Sequence, residues 1–355
     1  MIRRLPLVLA LVASAVAAPA ALAQDVVTRH VIRRVDVERR AATSEGAQSR
    51  QRRTDERESQ TERFTRTVNI GATGELEIAN IAGDVVVTRG GGNSATIEVV
   101  KTARGATAEE AREMLALVPV DIIERGTRAE ARTRYPSGDE QRRTGRRNIN
   151  VSVAFNISAP EGTRIFVKSI SGNINVRDIL GGLTLETVSG NVHIANAGRT
   201  AQGRSISGDI EVLDTKIEGA LEAGTISGTV RLRRLSARSL AVNSVSGNVE
   251  IEDVTAERIG AQAISGNIGF GGDLQPNGRY EFTSHSGNIR LVLPAAAGFE
   301  LEATSFSGTI NTDIPVTMSG GQGGRRNRTL RGTAGSGGAS LDLTTFSGTI
   351  VITKR

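Results

Sequence analysis

Between residues 161 and 355, apolar and polar residues alternate in short runs that meet at a Ser-Gly pair. In TVSGNVHIAN (residues 187–196), Val192 and Ile194 alternate with Asn191 and His193 directly after the glycine. A period of two is the signature of a β-strand with one buried face. No helical period fits this region, so the sequence predicts an all-β fold.

The Ser-Gly pair belongs to an internal repeat. Nine copies align on their glycine, and a tenth has Ala82 in place of the serine; the ten glycines are Gly83, Gly172, Gly190, Gly208, Gly228, Gly247, Gly266, Gly287, Gly308 and Gly348. From Gly172 onward, successive glycines lie 18, 18, 20, 19, 19, 21, 21 and 40 residues apart. A period near twenty is typical of solenoids. We therefore predict a β-solenoid, β-helix-like, of ~20-residue coils, with these glycines as its structural corner.

Positions counted from the glycine form columns across the copies. Apolar residues recur at −7, −5, −2, +2 and +4, whereas Ser or Thr recurs at −3. Because a strand cannot change faces without a bend or an extra residue, a bulge must lie near the Ser-Gly pair. We expect −7, −5, −2, +2 and +4 to point inward, and −1 and +1 outward. Position +1 would then form a polar ladder of Asn173, Asn191, Asp209, Thr229, Asn248, Asn267, Asn288, Thr309 and Thr349.

The first 66 residues differ from the repeats. Residues 1–23 combine a basic start, an apolar run and the small-residue site Ala21-Leu22-Ala23, as a secretory signal peptide does. Residues 24–66 carry eleven arginines and eight acids with few apolar residues, which predicts a disordered charged lead. The chain has no cysteine, and no later apolar run reaches membrane-helix length. We expect an exported mature chain without a transmembrane segment, periplasmic or extracellular at the cell surface.

Two blocks interrupt the repeats. Residues 67–160 hold the Gly83 copy and then a strand-helix-strand block, a small α/β insertion at the N-terminal end, whose helix opens at the capping box Thr107-Ala-Glu-Glu110. We predict that this block caps the solenoid of residues 161–355. Residues 318–338 form a Gly/Arg-rich loop with four candidate contacts to a polyanion, which are Arg325, Arg326, Arg328 and Arg331.

With these columns in view, the chain resembles the bacterial β-strand-repeat family catalogued as "putative adhesins", a domain of unknown function. The resemblance rests on ISGNINV and its copies, on FNISAPEGTRIFVKSISG and LVLPAAAGFELEATSFSG, and on TLRGTAGSGGASLDLTTFSGTIVI. It covers roughly Thr67–Arg355. It implies a β-helical fold and an envelope setting, and some relatives are similar to accessory proteins of envelope stress operons. It implies no catalytic residues.

The residue pattern offers little for catalysis or metal binding. Glycoside cleavage needs two facing carboxylates, and the acids of the repeats, such as Asp209 and Glu211, are scattered over outward positions and turns. His30, His193 and His285 fall in different columns, whereas zinc needs three or four convergent ligands. Neither a metal nor another cofactor is expected.

The net charge of +6 lies mostly in the signal and the lead, which does not favour nucleic acid as a partner. We therefore predict a non-enzymatic envelope or cell-surface interaction module, adhesin-like, whose partner is an unknown envelope protein or glycan. The alternatives are an accessory protein of envelope stress signalling and, less favoured, a carbohydrate-active β-helix enzyme. The sequence defines neither the ligand nor the oligomeric state.

Overall fold

A computed structural model describes residues 58–143, 149–318 and 328–355 of the chain. The strands that precede the uninterrupted repeats are β1 (Glu58–Asn69), β2 (Glu75–Ala82), β3 (Val85–Arg89), β4 (Ser94–Gly105), β5 (Val120–Arg125), β6 (Arg128–Thr133) and β7 (Val151–Ala159). Two helices lie among them, α1 (Ala108–Leu117) and α2 (Gly138–Arg143). The described residues therefore form an almost entirely β structure, which confirms the predicted class.

The repeats supply the remaining strands. In chain order they are β8 (Arg164–Ser171), β9 (Ile174–Arg177), β10 (Leu183–Ser189), β11 (Val192–Ala195), β12 (Ala201–Ser207), β13 (Ile210–Lys216), β14 (Ala220–Ser227), β15 (Val230–Ser246), β16 (Val249–Ser265), β17 (Ile268–Gly271), β18 (Arg279–Ser286), β19 (Ile289–Leu293), β20 (Phe299–Ser307), β21 (Ile310–Thr312), β22 (Thr317–Met318), β23 (Arg328–Ala334), β24 (Ala339–Ser347) and β25 (Ile350–Lys354). We call the strand that ends at a Ser-Gly pair, together with the strand after it, a coil, and name each coil by its glycine.

Consecutive coils pair in parallel, each residue with its counterpart one repeat away. Val192 of β11 pairs with Ile174 of β9 on one side and with Ile210 of β13 on the other. Inward positions on both strands are buried, so Val192 and Ile194 are fully covered by the coils above and below. Parallel pairing of strands one repeat apart is the pairing of a solenoid, and it puts one apolar core along the axis of the stack.

Additional strands cover the N-terminal end of the stack. Strands β2 and β3 pair in parallel with β8 and β9, so the Gly83 coil stacks on the Gly172 coil. Strand β6 covers the other side of β2, and β7 covers β3. Strand β4 lies antiparallel between β7 and β1. The first helix is capped by Thr107, whose Oγ1 accepts a hydrogen bond of 3.1 Å from the Glu110 amide, while Glu110 Oε2 accepts one of 2.8 Å from the Ala106 amide.

Two predicted boundaries need correction. Residues 58–66, predicted to belong to the disordered lead, lie in β1, which pairs with β4 along all twelve of its residues. Backbone hydrogen bonds order this polar segment without requiring it to be buried. Residues 317–318 and 328–334 form β22 and β23, which pair with each other, and β23 also covers β20. The predicted loop at 318–338 is therefore partly strand, and residues 319–327 lie outside the described residues.

The last coil of the chain is not the last coil of the stack. Strand β24 pairs in parallel with β18 on one side and with β20 on the other. Strand β25 likewise lies between β19 and β21. The Gly348 coil is therefore inserted between the Gly287 and Gly308 coils, and the Gly308 coil, covered by β23, ends the stack.

Candidate functional site

Position −3 faces the core, although it is not among the positions predicted to point inward. Its Ser and Thr residues are 0–5% exposed, and these are Ser169, Thr187, Ser205, Thr225, Ser244, Ser284, Ser305 and Thr345. The Ser205 hydroxyl donates a hydrogen bond of 3.0 Å to the carbonyl oxygen of Gly190, one coil earlier. Thr225 and Ser284 make the same bond to Gly208 and Gly266, at 3.0 and 3.1 Å. Six of these eight hydroxyls thus find an acceptor in the corner glycine of the preceding coil of the stack, whereas those of Ser169 and Ser244 have no partner.

Position −2 faces solvent, so its predicted inward orientation is wrong. Eight large apolar side chains of this column are 41–55% exposed, and they are Ile170, Val188, Ile206, Ile226, Val245, Ile264, Phe346 and Phe306 in the order of the stack. His285 occupies the same column between Ile264 and Phe346 and is also exposed. The strand pairing passes from −3 to −1 without including −2, which places the bend at this residue. We call these nine side chains the apolar column.

The corner that follows the column is close-packed backbone. An added Cβ on Gly190 would collide with the carbonyl oxygen of Gly172, and the same clash recurs from coil to coil. Beyond the glycine, position +1 forms a polar ladder at the surface, with side-chain hydrogen bonds from Asp84 to Thr229 and again from Asn248 to Thr309. Asn191 Oδ1 accepts a hydrogen bond of 2.8 Å from the Asp209 amide, and Asp209 Oδ1 accepts one of 2.8 Å from the Thr229 amide. These polar side chains are thus engaged in joining the coils.

A groove runs along the stack beside the apolar column. Its floor is position −3, one wall is the apolar column, and the other wall is position −4. It comprises two adjoining cavities of about 680 and 440 Å³, which share Thr225, Asn243 and Val245. The −4 wall is charged at one end, with Lys168, Glu186 and Arg204, and continues in uncharged residues, namely Gly224, Asn243, Gln262, Thr283 and Thr344. The groove is therefore long, largely apolar on one side and weakly charged on the other.

Three rings close the C-terminal end of the column. His285 stacks on Phe346 with ring centroids 4.9 Å apart, and Phe346 stacks on Phe306 at 4.7 Å, with the ring planes nearly parallel in both pairs. The ring spacing repeats the spacing of the coils. Because each ring covers the face of its neighbour, the stack presents ring edges to solvent.

Charged side chains of the coils pair with one another on other columns. Arg231 lies 3.1 Å from both Asp209 and Glu250. Arg234 makes two hydrogen bonds to Asp214, and these lower the pKa of that carboxyl. Among the described residues that line the groove, Glu186 is the only carboxylate, and it lies 3.7 Å from the Lys168 amine. The two facing carboxylates of a glycosidase are therefore not brought together in this groove.

The other candidates are dispersed. His193 contacts Glu211 at 3.0 Å, His285 lies in the apolar column, and His30 lies outside the described residues. No three potential metal-ligating side chains converge anywhere in the described parts of the chain. Of the four arginines predicted to meet a polyanion, Arg325 and Arg326 also lie outside the described residues. Arg328 and Arg331 lie on β23, where Arg331 pairs with Glu302 of β20.

Residues 148–353 match the model of the Toastrack DUF4097 family, and the chain belongs to that family. No curated protein matches it. Solved structures with a similar course include a "putative adhesin" from Parabacteroides distasonis, at 10% identity and a TM-score of 0.45, covering 83% of this chain and 97% of that one. Another "putative adhesin", from Bacteroides fragilis, has 12% identity and a TM-score of 0.42, with coverage of 83% and 97%. Within the described residues, no helix is both long and apolar enough to cross a bilayer.

Proposed function

We propose that this chain is an exported, non-enzymatic interaction module of the cell envelope or cell surface, adhesin-like in role, and that it binds its partner through the apolar column and the adjoining groove. The observation that carries the proposal is the exposure of the column. The largest apolar patch of an ordinary monomer covers about 300–600 Å². Eight side chains at roughly half exposure leave on the order of 650 Å² in one strip.

Two further features support binding rather than catalysis. The coils stack in fixed register, so the column is a rigid surface that needs no ordering before a partner arrives. The groove offers one carboxylate, already paired with Lys168, instead of an acid and a base. The family and the similar structures carry no assigned reaction, and the signal-like residues 1–23 support export.

The test is capture of partners from envelope extract by the mature chain. One variant carries Ile206→Thr, Ile226→Thr and Ile264→Thr, which remove apolar surface but keep β-branched side chains on the strands. The matched control carries Ala241→Thr, Arg258→Thr and Glu281→Thr, which are exposed on neighbouring strands outside the groove and leave the net charge unchanged.

We expect the first variant to lose the captured partner and the control to retain it, with identical unfolding midpoints. Equal capture by all three proteins would contradict the proposal. In that case, loss of capture on deletion of residues 24–57 or 319–327 would assign binding to one of those segments.

A further inference from the structure

The period of the apolar column restricts what can cover it. Neighbouring coils lie about 4.7–4.9 Å apart, so nine coils present a side chain at that interval over about 38 Å. The ring spacings of 4.9 and 4.7 Å at the C-terminal end have the same interval. A partner that contacts the whole column must offer side chains at a matching interval.

Most secondary structures do not match that interval. An α-helix has a pitch of 5.4 Å, so over 38 Å it falls out of step by nearly one coil. An extended strand laid along the column presents same-face side chains about 6.6–6.8 Å apart. A second ladder of parallel coils has the same interval and stays in step along its full length, as in the interlocking faces of stacked β-sheets.

The area of the column agrees with such a partner. A stable, specific interface buries about 800 Å² on each side. The column contributes on the order of 650 Å², and the −1 serines and −4 residues beside it supply the remainder. The flanking side chains next to the middle and C-terminal parts of the column are uncharged, so no like charges oppose one another there.

Resting on the function proposed above, we infer that the partner at the apolar column is a second copy of this chain, packed antiparallel about a two-fold axis at Val245. Val245 is the fifth of the nine residues in the column. In this arrangement Ile170 and Val188 of one copy face Phe306 and Phe346 of the other.

The antiparallel direction follows from size and charge. Aliphatic side chains occupy one end of the column and three rings occupy the other, so reversing one copy places bulky residues opposite smaller ones. The charged −4 residues Lys168, Glu186 and Arg204 then lie opposite the end where that wall consists of threonines. A parallel pair would instead place ring against ring and leave the aliphatic end loosely packed.

Sedimentation of the mature chain at ~10 µM tests the pairing, a concentration at which interfaces of this size hold. We expect a dimer, and we expect Ile206→Thr/Ile226→Thr/Ile264→Thr to weaken self-association by roughly 100-fold or more, because those residues lie at the centre of the interface. The Ala241→Thr/Arg258→Thr/Glu281→Thr control should remain dimeric. Because the altered side chains are exposed, all three proteins should fold.

Cysteine cross-linking tests the direction. The chain has no cysteine of its own, so each introduced thiol is unique. Val245→Cys should form a disulfide-linked dimer, and Ile170→Cys should not, because its two copies would lie about 38 Å apart. Cross-linking of Ile170→Cys would overturn the antiparallel arrangement.

The remaining outcomes separate the two proposals. A wild-type monomer whose capture of an envelope partner still depends on Ile206, Ile226 and Ile264 overturns self-association and leaves the proposed function standing. A monomer whose capture is indifferent to those residues overturns both.

Discussion

The hydroxyl of Ser205 donates to the carbonyl oxygen of Gly190 across 3.0 Å, and the serine is buried at the corner of the stack. The bond supplies an acceptor to the inward hydroxyl, whereas the apolar neighbour Ile206 points to solvent. Replacing Ser205 should therefore affect stability, and replacing Ile206 should affect binding.

Ser205→Ala should destabilise the protein by about 1 kcal/mol, because the half-buried carbonyl of Gly190 loses its hydrogen-bond donor. Chemical denaturation measures the effect. Ser244→Ala is the matched control, since Ser244 occupies the same column but its buried hydroxyl has no partner. That substitution should change stability by less than about 0.5 kcal/mol. Equal effects of the two would show that the hydrogen bond contributes nothing.

Gly190→Ala should cost at least about 4 kcal/mol or abolish folding, because the new Cβ would occupy the space of the Gly172 carbonyl oxygen. Gly224→Ala is the control. Its Cβ would lie 3.8 Å from the nearest atom, the Asn243 carbonyl oxygen, which is an ordinary contact. Circular dichroism and unfolding midpoints distinguish the two variants. A folded Gly190→Ala protein of unchanged stability would refute the close-packed corner.

The two tyrosines of the chain should ionise at an abnormally high pH. Burial raises the pKa of Tyr135 to about 12, and burial also raises the pKa of Tyr280, against a smaller opposing effect of its hydrogen bond from the Gln275 amide. Since both folded-state pKa values exceed the unfolded value near 10, their contribution to stability is present below about pH 10 and is lost as the pH rises through the folded-state values, about 12 for Tyr135.

Tyrosinate absorbance measures this titration. In the folded chain Tyr135 should ionise near pH 12 and Tyr280 at a higher pH than in the unfolded chain, whereas in denaturant both tyrosines should titrate together near pH 10. Tyr135→Phe and Tyr280→Phe assign the two steps. A full step near pH 10 in the folded protein would contradict the burial of both phenols.

Removing the C-terminal strands should disconnect the Gly308 coil. A chain that ends at residue 338 lacks β24 and β25, the strands that join β20 to β18. We expect it to be no more stable than a chain that ends at residue 295, and residues 299–334 should become sensitive to protease. If β20 instead paired directly with β18, the longer chain would be the more stable and would resist cleavage.

The strands and their columns were predictable from the sequence because period-two alternation reports burial directly. The side-chain directions at the corner were less predictable, as Ser205 and Ile206 illustrate. Hydrophobicity alone predicts that Ile206 points inward. The carbonyl that makes the opposite arrangement favourable belongs to Gly190, fifteen residues away, and becomes a neighbour only once the coils are stacked.

Two other features of the fold could not be predicted from the sequence, for related reasons. Asp178 and Asn196, both six residues after their glycine, adopt left-handed backbone conformations and mark a second bend of the coil. Their residue types permit this conformation without demanding it. The sequence does not reveal that β24 lies between β18 and β20. Ser305 and Thr345 both stand at position −3, so the Gly308 coil and the Gly348 coil fit the repeat pattern equally well as neighbours of the Gly287 coil. The recurrence of apolar residues at position −2 can be read from the sequence, but their exposure to solvent cannot.

The position of the Gly348 coil in the stack determines the order in which the coils can pair during synthesis. A chain emerging from a ribosome or a secretion pore delivers its N-terminal coils first, and these can close on one another as they arrive. The Gly308 coil emerges next but leaves a gap, because the coil between it and the Gly287 coil is encoded later, by residues 339–354. Assembly from the N-terminal end therefore stops at the Gly287 coil until residues 339–354 have been synthesised, and a nonsense or frameshift mutation between the Gly287 coil and β24 leaves an open strand edge.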